Sequence, residues 1–520
     1  MTERLNASTL LDRSLDAGFA DKVAYLTAGG EVSYARLAEL TAAAASYLSE
    51  LGVVREQRVL MILDDSPAFP AMFLGAMRIG AVPVPVNPLD RIDNYAYYLA
   101  DSYARVLVVE ASLLGALAPA LDAAPDLHVL VVGGDSDRGR AYDSFDTVVA
   151  ARSGELAAPL DTHQDDMAFW LYSSGSTGRP KGVVHTHRDI GVTVENYARP
   201  VLGIGPADLC YSTTKLFHAY GLGNGLTFPL SVGASAVLVK GRAAPAKILD
   251  TVARTRPTLF YSVPALYAAM VKAPEAAHAD FRSVRACVSA AEALPAAVLA
   301  RWQAITGVPI LDGIGSTEML HIYCSNTLAD LAPGTSGRPV PGYELRLVDE
   351  RGAEIADGEA GELLVRGDSC AAYYWHQRAK TRRSMQGEWF HTGDRYIRDP
   401  DGHYVYQGRA DDMIKVGGLW VSPVDVEACL VRHPAVSEAA VIGTRIDDVS
   451  RIKAFVIAGD EADDGLADEL RHWCKEHLRR YEYPHVVEFV DDLPRTATGK
   501  VQRFKLREAE ETRQAEAVAR

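Results

Sequence analysis

The first 110 residues alternate between stretches of helical period and short β-branched runs, and a chain patterned this way can bury its apolar faces only as a sheet flanked by helices. Ser33 stands where a cap is needed for a helix that runs to about Gly52. Arg58 to Leu63 reads as a strand, Ala68 to Ile79 as a helix stopped by Gly80, and Ala81 to Val86 as a second strand. Tyr95 to Ala100 is helix-like and Arg105 to Val109 is strand-like. The pattern resumes at Met167 to Tyr172, an apolar run that ends abruptly in a Ser/Gly/Thr cluster, as a strand feeding a loop does. From Gly337 to Tyr406 the texture changes to short strands punctuated by glycine, for example Tyr343 to Val348 and Glu362 to Arg366. Beyond Gly408 a small α+β unit is expected, with helices over Val424 to Val431 and Leu466 to Leu478 and strands over Ala439 to Ile442 and Val486 to Phe489. The predicted class is α/β: a large N-terminal domain, 1–410, of βα-repeat sheets plus a β-rich subdomain, and a small α+β domain, 411–520. The Ala/Glu/Arg-rich segment from Glu508 to Arg520 reads as a solvated helix or frayed tail.

Charge narrows the function classes. With 53 Lys and Arg against 68 Asp and Glu the net charge is -15, so the surface as a whole repels nucleic-acid phosphates and any anionic ligand must be held locally. The six cysteines lie far apart without CxxC spacing, which argues against a disulfide framework or structural zinc. The opening residues mix both charge signs and lack a signal-peptide pattern, so a reducing cytoplasm is expected. Leu216 to Val239 is free of Asp, Glu, Lys and Arg, but five glycine or proline interruptions argue against a membrane span. It is read as buried loop and strands.

The segment Tyr172-Ser173-Ser174-Gly175-Ser176-Thr177-Gly178-Arg179-Pro180-Lys181-Gly182 has the composition of a phosphate cradle. Glycines permit turns whose N–H groups converge on phosphate oxygens, the hydroxyls add donors, and Lys181 adds charge. It is no Walker A loop, because Lys181 is followed by Gly182 rather than by Ser or Thr. Together with Phe217-His218-Ala219-Tyr220-Gly221, Gly313-Ile314-Gly315-Ser316-Thr317-Glu318, His391-Thr392-Gly393-Asp394, Gly408-Arg409-Ala410-Asp411-Asp412 and Pro494-Arg495-Thr496-Ala497-Thr498-Gly499-Lys500, it resembles the adenylate-forming superfamily almost end to end. Acyl-CoA synthetases, luciferases and peptide-synthetase adenylation domains belong to that superfamily, and the resemblance implies its two-domain fold.

The resemblance implies a role for each motif. ATP is assigned to Ser173, Ser174, Gly175, Ser176, Thr177, Gly178, Lys181, Asp312, Thr317, Asp394, Tyr406 and Arg409. Glu318 is the Mg²⁺ ligand, its hard oxygens suiting that ion, and Thr317 offers a hydroxyl to the α-phosphate. Asp394 and Arg409 fall to the ribose, and Asp312 to the adenine amine. Lys500 is the adenylation lysine, a cation able to reach an incoming carboxylate and the α-phosphate together. Asp411 matches the hinge about which the small domain turns, swinging Lys415, Gly417 and Gly418 inward as a channel for a pantetheine thiol. His218 resembles the family's gate between the two half-reactions.

No aspartate stands between Phe217 and Gly221 to neutralise an amino-acid ammonium. The text around Phe217, Ala219 and Tyr220, with Gly315 to Ile322, Ala371 to Trp375 and Gln502 to Arg507, looks like the benzoate:CoA ligase branch. An aryl ring is expected among Phe217, Ala219, Tyr220, Ala290, Gly313, Gly315 and Ile322, with His321 toward its carboxylate end. Two departures from that branch, His218 for Phe and Ala291 for Gly, bear on which ring substituents are accepted. The implied reaction is ATP-dependent thioester formation on CoA. An aryl acid:acyl-carrier-protein ligase is the same-class alternative, and a luciferase-like monooxygenase or a silent nucleotide-binding homologue the more distant ones.

Overall fold

The computed structural model describes residues 3–134, 142–152, 154, 156–173, 179–410, 412–416, 419–446, 449–459, 465–479, 481–495 and 501–518. They form two compact units, Met1–Glu344 with Val365–Phe390, and Leu345–Leu364 with His391–Arg520. Compactness thus groups two stretches of the expected 1–410 domain with the C-terminal residues; the boundary expected after Ala410 concerns which part moves, a different property.

The early alternation of period builds the first unit. Ser33 accepts a hydrogen bond from the Arg36 N–H at 3.1 Å and opens the helix Tyr34–Glu50. Arg58–Ile62, Val82–Val86, Ala104–Glu110, His128–Val132 and Asp143–Ser144 join in a wholly parallel sheet of order 2-1-3-4-5 counted along the chain. Helices Ala68–Arg78 and Ile92–Ser102 fill the crossovers, as parallel pairing requires. A second, nine-stranded sheet has a parallel centre of Ile310–Gly315, Ala286–Ser289, Leu259–Ser262, Leu209–Ser212, Ser235–Val237 and Val23–Thr27. Its core is aromatic: Trp302 packs edge-on against Tyr267 and Phe281, with ring centroids 4.8 and 4.9 Å away. The predicted strand at Met167 is observed as Met167–Ser173, antiparallel to Lys181–Thr186, which pairs on its other edge with Tyr373–Tyr374.

Leu216 to Val239 corrects the sequence reading. Instead of loop and strands it is largely helical, with Ala219–Leu222, a π-turn at Gly223–Thr227 and Phe228–Val232 preceding one short strand, Ser235–Val237. The glycines serve close packing here. A Cβ on Gly221 would lie 2.1 Å from the Lys215 carbonyl oxygen, and one on Gly223 would lie 2.4 Å from the His321 ring.

In the second unit, Val436–Ile446 and Val449–Ala458 pair antiparallel and Val486–Phe489 joins them in parallel, with helices Pro423–Val431 and Leu466–His477. The solvated helix expected over Glu508 to Arg520 is observed as the end of the helix Arg503–Val518, with Glu508, Ala509, Glu511, Thr512 and Arg513 exposed, while other polar residues of the same helix meet partners. Arg503 pairs with Glu427 at 2.5 Å, Arg507 with Asp412 at 2.6 Å and Glu510 with the buried Lys453 at 2.6 Å.

The Gly221→Ala variant is therefore expected to lose about 1–3 kcal/mol through the backbone collision, seen as a lower thermal unfolding midpoint. An unchanged midpoint would show that the Lys215–Gly221 turn yields freely.

Candidate active site

In the first unit the strand Met167–Ser173 ends at the predicted phosphate cradle, and the return strand begins at Lys181, opposite Ser173. The Ser173 Oγ is buried and has no hydrogen-bond partner among the described residues. Ser174, Gly175, Ser176, Thr177 and Gly178 lie outside the described residues. Lys181 reaches across to Glu318: its Nζ stands 2.8 Å from Oε1, and both side chains are about nine-tenths buried. Tyr374 closes the triangle by donating its hydroxyl to the same Oε1 at 2.9 Å and lying 3.2 Å from Lys181 Nζ. Burial pushes the Glu318 carboxyl up, but the Lys181 ammonium and the hydrogen bonds outweigh it, so the group sits below the ordinary glutamate range.

The loop carrying Thr317 and Glu318 is pinned from three sides. The Thr317 carbonyl is 2.8 Å from His185 Nε2, while His185 Nδ1 is 2.7 Å from Asp189, itself the N3 residue of a capping box with Thr186. Ala371 N–H donates to the Glu318 carbonyl at 2.7 Å and Ser369 to that of Met319 at 2.8 Å. Leu320, at φ 65°, takes up the sharp reversal.

Beside this loop lie the residues expected to hold an aryl group. Tyr220 donates to the Val288 carbonyl at 3.1 Å, and its ring centroid is 5.5 Å from that of His321. His321 is enclosed by the rings of Tyr197, Tyr220 and Phe228, and its Nε2 is 3.2 Å from Asn224 Oδ1. Phe217 packs on His218 at 4.3 Å between centroids, and Ala219 follows on the short helix. A Cβ on Gly313 would lie 3.1 Å from Ile322 Cγ2, and one on Gly315 2.6 Å from the His321 carbonyl, so both glycines admit the neighbouring strand. Ala290 is buried directly after Ser289, which pairs with Asp312 in the ladder. Asp312 is buried with Oδ1 unpartnered, and burial pushes its carboxyl up to about 8. Burial likewise lowers His218 to about 4 and His321 to about 3, so both are neutral near pH 7.

In the second unit Asp394 and Arg409 face one another across the ladder of Trp389–Arg398 and Tyr404–Arg409, with Arg409 Nη1 3.3 Å from Asp394 Oδ1. Gly393, at φ 73°, leaves room for the guanidinium, which a Cβ would approach to 2.8 Å. Tyr406 packs on Tyr396 at 5.3 Å, and burial raises its hydroxyl. Lys415 is exposed on the strand Ile414–Val416. Asp411, Gly417, Gly418 and Lys500 lie outside the described residues.

Residues 12–375 match the family model for AMP-binding enzymes, and residues 425–500 match that for the AMP-binding enzyme C-terminal domain. The chain belongs to this family. Within this adenylate-forming family it is 49% identical over 98% of its length to a benzoate--CoA ligase of Thauera aromatica, 96% of which is covered. It is 41% identical over 96% of its length to a 4-hydroxybenzoate--CoA/benzoate--CoA ligase of Rhodopseudomonas palustris, 93% of which is covered. Among solved structures, a benzoate CoA ligase from Burkholderia xenovorans LB400 superposes with TM-score 0.89 at 44% identity, covering 97% of this chain and 99% of that one. An anthranilate CoA ligase in complex with anthranoyl-AMP superposes with TM-score 0.95 at 40% identity, covering 99% of each. Among the described residues no helix is long and apolar enough to cross a membrane.

Two parts of this candidate site escaped the sequence. Tyr374 lies within a quoted motif but carries no signal for its bond to Glu318. His185 and Asp189 left a trace, the Thr186-x-x-Asp189 capping box, but not their hold on Thr317. His187 does something different from its neighbour: Nδ1 accepts the Ala7 N–H at 3.1 Å, and burial lowers it to about 4.

An unfolded histidine titrates near ~6.5. Between that value and about 4, the unfolded chain takes up a proton that folded His218 refuses, so this residue costs stability as pH falls through the window. Replacing it in His218→Gln is expected to flatten the loss of unfolding midpoint between pH 6.5 and 4 relative to the parent. Parallel curves would place His218 in a solvated setting.

Proposed function

We propose that the protein activates a benzoate-type aryl carboxylate with ATP through an aryl-AMP and transfers the acyl group to the pantetheine thiol of CoA, as an AMP-forming acid-thiol ligase. The observation that carries this reading is the buried cluster of Phe217, Ala219, Ile322 and neutral His321 with half-buried Tyr220, beside the Glu318 loop and without an aspartate at 217–221 to hold an ammonium. The relatives' names, which state benzoate, hydroxybenzoate and CoA, support it. All six cysteines are free thiols, in keeping with a cytoplasmic setting.

In the first step a carboxylate oxygen attacks the α-phosphorus and the bond to pyrophosphate breaks, its electron pair leaving with the pyrophosphate. The protein's task is to hold two anions together, so its contribution is positional and electrostatic. Lys181 and the cradle after Ser173 are assigned to the phosphates, Thr317 to the α-phosphate, and Asp394 with Arg409 to the ribose. Lys500 is assigned the charge developing between carboxylate and phosphate. Among the described residues no group of three or more His, Cys, Asp or Glu side chains makes a metal cage. A single buried carboxylate at Glu318 fits Mg²⁺, which keeps waters and takes one or two protein carboxylates along with phosphate oxygens. When bound, the ion neutralises phosphate charge. In the second step the thiol sulfur attacks the acyl carbon, the acyl–oxygen bond breaks, AMP departs and the thiol proton passes to solvent. For this step we assign rotation of 411–520 about Asp411, a thiol channel at Lys415, Gly417 and Gly418, and His218 as the gate.

The test is product analysis with benzoate, hydroxybenzoates, aminobenzoates and fatty acids, each with and without CoA. Aryl-CoA is expected; aryl-AMP alone would move the acceptor to a carrier protein, and no response to aryl acids would sink the substrate assignment. Glu318→Gln is expected to lower kcat by about 10²-fold, the usual scale for an electrostatic group at the reacting charge, with the apparent Mg²⁺ requirement raised. Asp312, protonated below about 8, should release its proton when the adenine amine donates to it. Calorimetric ATP titrations at pH 7 in buffers of different ionisation enthalpy should show that release, and Asp312→Asn should abolish it.

A further inference from the structure

The helix Arg378–Ser384 carries Arg378, Lys380, Arg382 and Arg383 and no acidic residue, a local cationic focus in a chain of net charge -15. The arginines of this run are exposed, as on an ordinary solvated basic face, but three observations favour a ligand site. The helix borders an open cavity of about 550 Å³ at the strand Tyr373–Tyr374, within the size range of small-molecule sites. Arg378 and Arg382, four apart and so on one face, both line it, together with the rings of Tyr373 and His376. Among the described residues no ion pair engages Arg378, Arg382 or Arg383, whereas nearby Arg366 is taken up by Glu344 and by Glu388 at 2.9 Å. The helix is also fixed rather than loose: Thr381 Oγ1 accepts the Tyr374 N–H at 3.0 Å and donates to the Gln377 carbonyl at 3.1 Å.

We propose that this cavity binds an oligophosphate anion, held by the paired Arg378 and Arg382 guanidinium forks. Guanidinium matches phosphate in planar two-point hydrogen bonding. Tyr374 forms the wall shared with the phosphate end of the active site: its hydroxyl bonds Glu318, and the ammonium groups of Lys181 and Lys380 lie 4.3 and 5.8 Å from its ring centroid. Resting on the reaction proposed above, two sources supply such an anion: the pyrophosphate released in the first step, and the diphosphate and 3′-phosphate of the CoA nucleotide.

The experiment uses the full chain and its Arg378→Ala/Arg382→Ala variant, whose substitutions lie outside the residues assigned to ATP, the aryl acid and the thiol. Inorganic pyrophosphate, CoA and dephospho-CoA are titrated separately by calorimetry, which needs no aryl turnover and so decides the site even if the aryl assignment fails. At least tenfold weaker binding of pyrophosphate alone identifies the product as the ligand. The same loss for CoA, smaller for dephospho-CoA, identifies the nucleotide. Arg378→Lys/Arg382→Lys, which keeps the charges but not the forks, should recover part of the loss, and Arg382→Gln alone is read the same way if the double variant does not fold. Binding of all three ligands within twofold of the parent, with the unfolding midpoint unchanged, overturns the proposal.

Discussion

The buried pair between Lys181 and Glu318 is the interaction on which the candidate site depends. It joins the strand that follows the predicted phosphate cradle to the loop that carries Thr317, and it does so where water is largely excluded. Taking two charges out of water is costly, and their attraction offsets that only if the remaining hydrogen-bonding capacity is met. Tyr374 meets part of it, and Ala371 N–H ties the backbone of the same glutamate. On the function proposed above, a ligand bringing phosphates and a cation would replace one set of charge contacts with another, with Lys181 and Glu318 holding each other in place until that exchange.

The loop could not present Glu318 at this height without support behind it. His185 lies in the strand Lys181–Thr186 and holds the Thr317 carbonyl, and Asp189 in the following helix His187–Thr193 holds His185. One strand therefore supplies Lys181 at one end and the brace for its partner's loop near the other. On the acyl side the equivalent brace is Asp65, which accepts the Leu216 N–H at 3.0 Å and stands 3.7 Å from Lys215 Nζ. It anchors the segment that leads into Phe217 and His218 from the end of a strand in the other sheet.

The cluster around His321 shows how small residues and large rings divide the work. Gly221 and Gly223 let a helical turn press against the Lys215 backbone and the His321 ring, which brings Tyr220 and His321 within 5.5 Å. The neutral histidine is a consequence of this enclosure, since aromatic neighbours offer an imidazolium little compensation for lost hydration.

The sequence by itself determined the class of fold, because a periodicity of helix and β-branched strand can be satisfied only by a layered α/β arrangement, and it marked most of the motif residues by their chemistry. Ser33, the helix at Ala68 and the strand at Met167 were legible since each depends on its immediate neighbours. Leu216 to Val239 was not: glycine reads as a helix breaker in isolation, and only the close approach of the preceding Lys215 backbone and of His321 from far along the chain turns it into a packing residue. The docking of the Arg503–Val518 helix was hidden for the same reason, its partners Glu427, Asp412 and Lys453 being distant in sequence. Tyr374 on Glu318 and His185 behind Thr317 are likewise products of tertiary structure alone, 56 and 132 residues apart along the chain. Local pattern fixes what a segment can become, whereas long-range contact decides which polar group it meets, and the candidate site is made of such meetings.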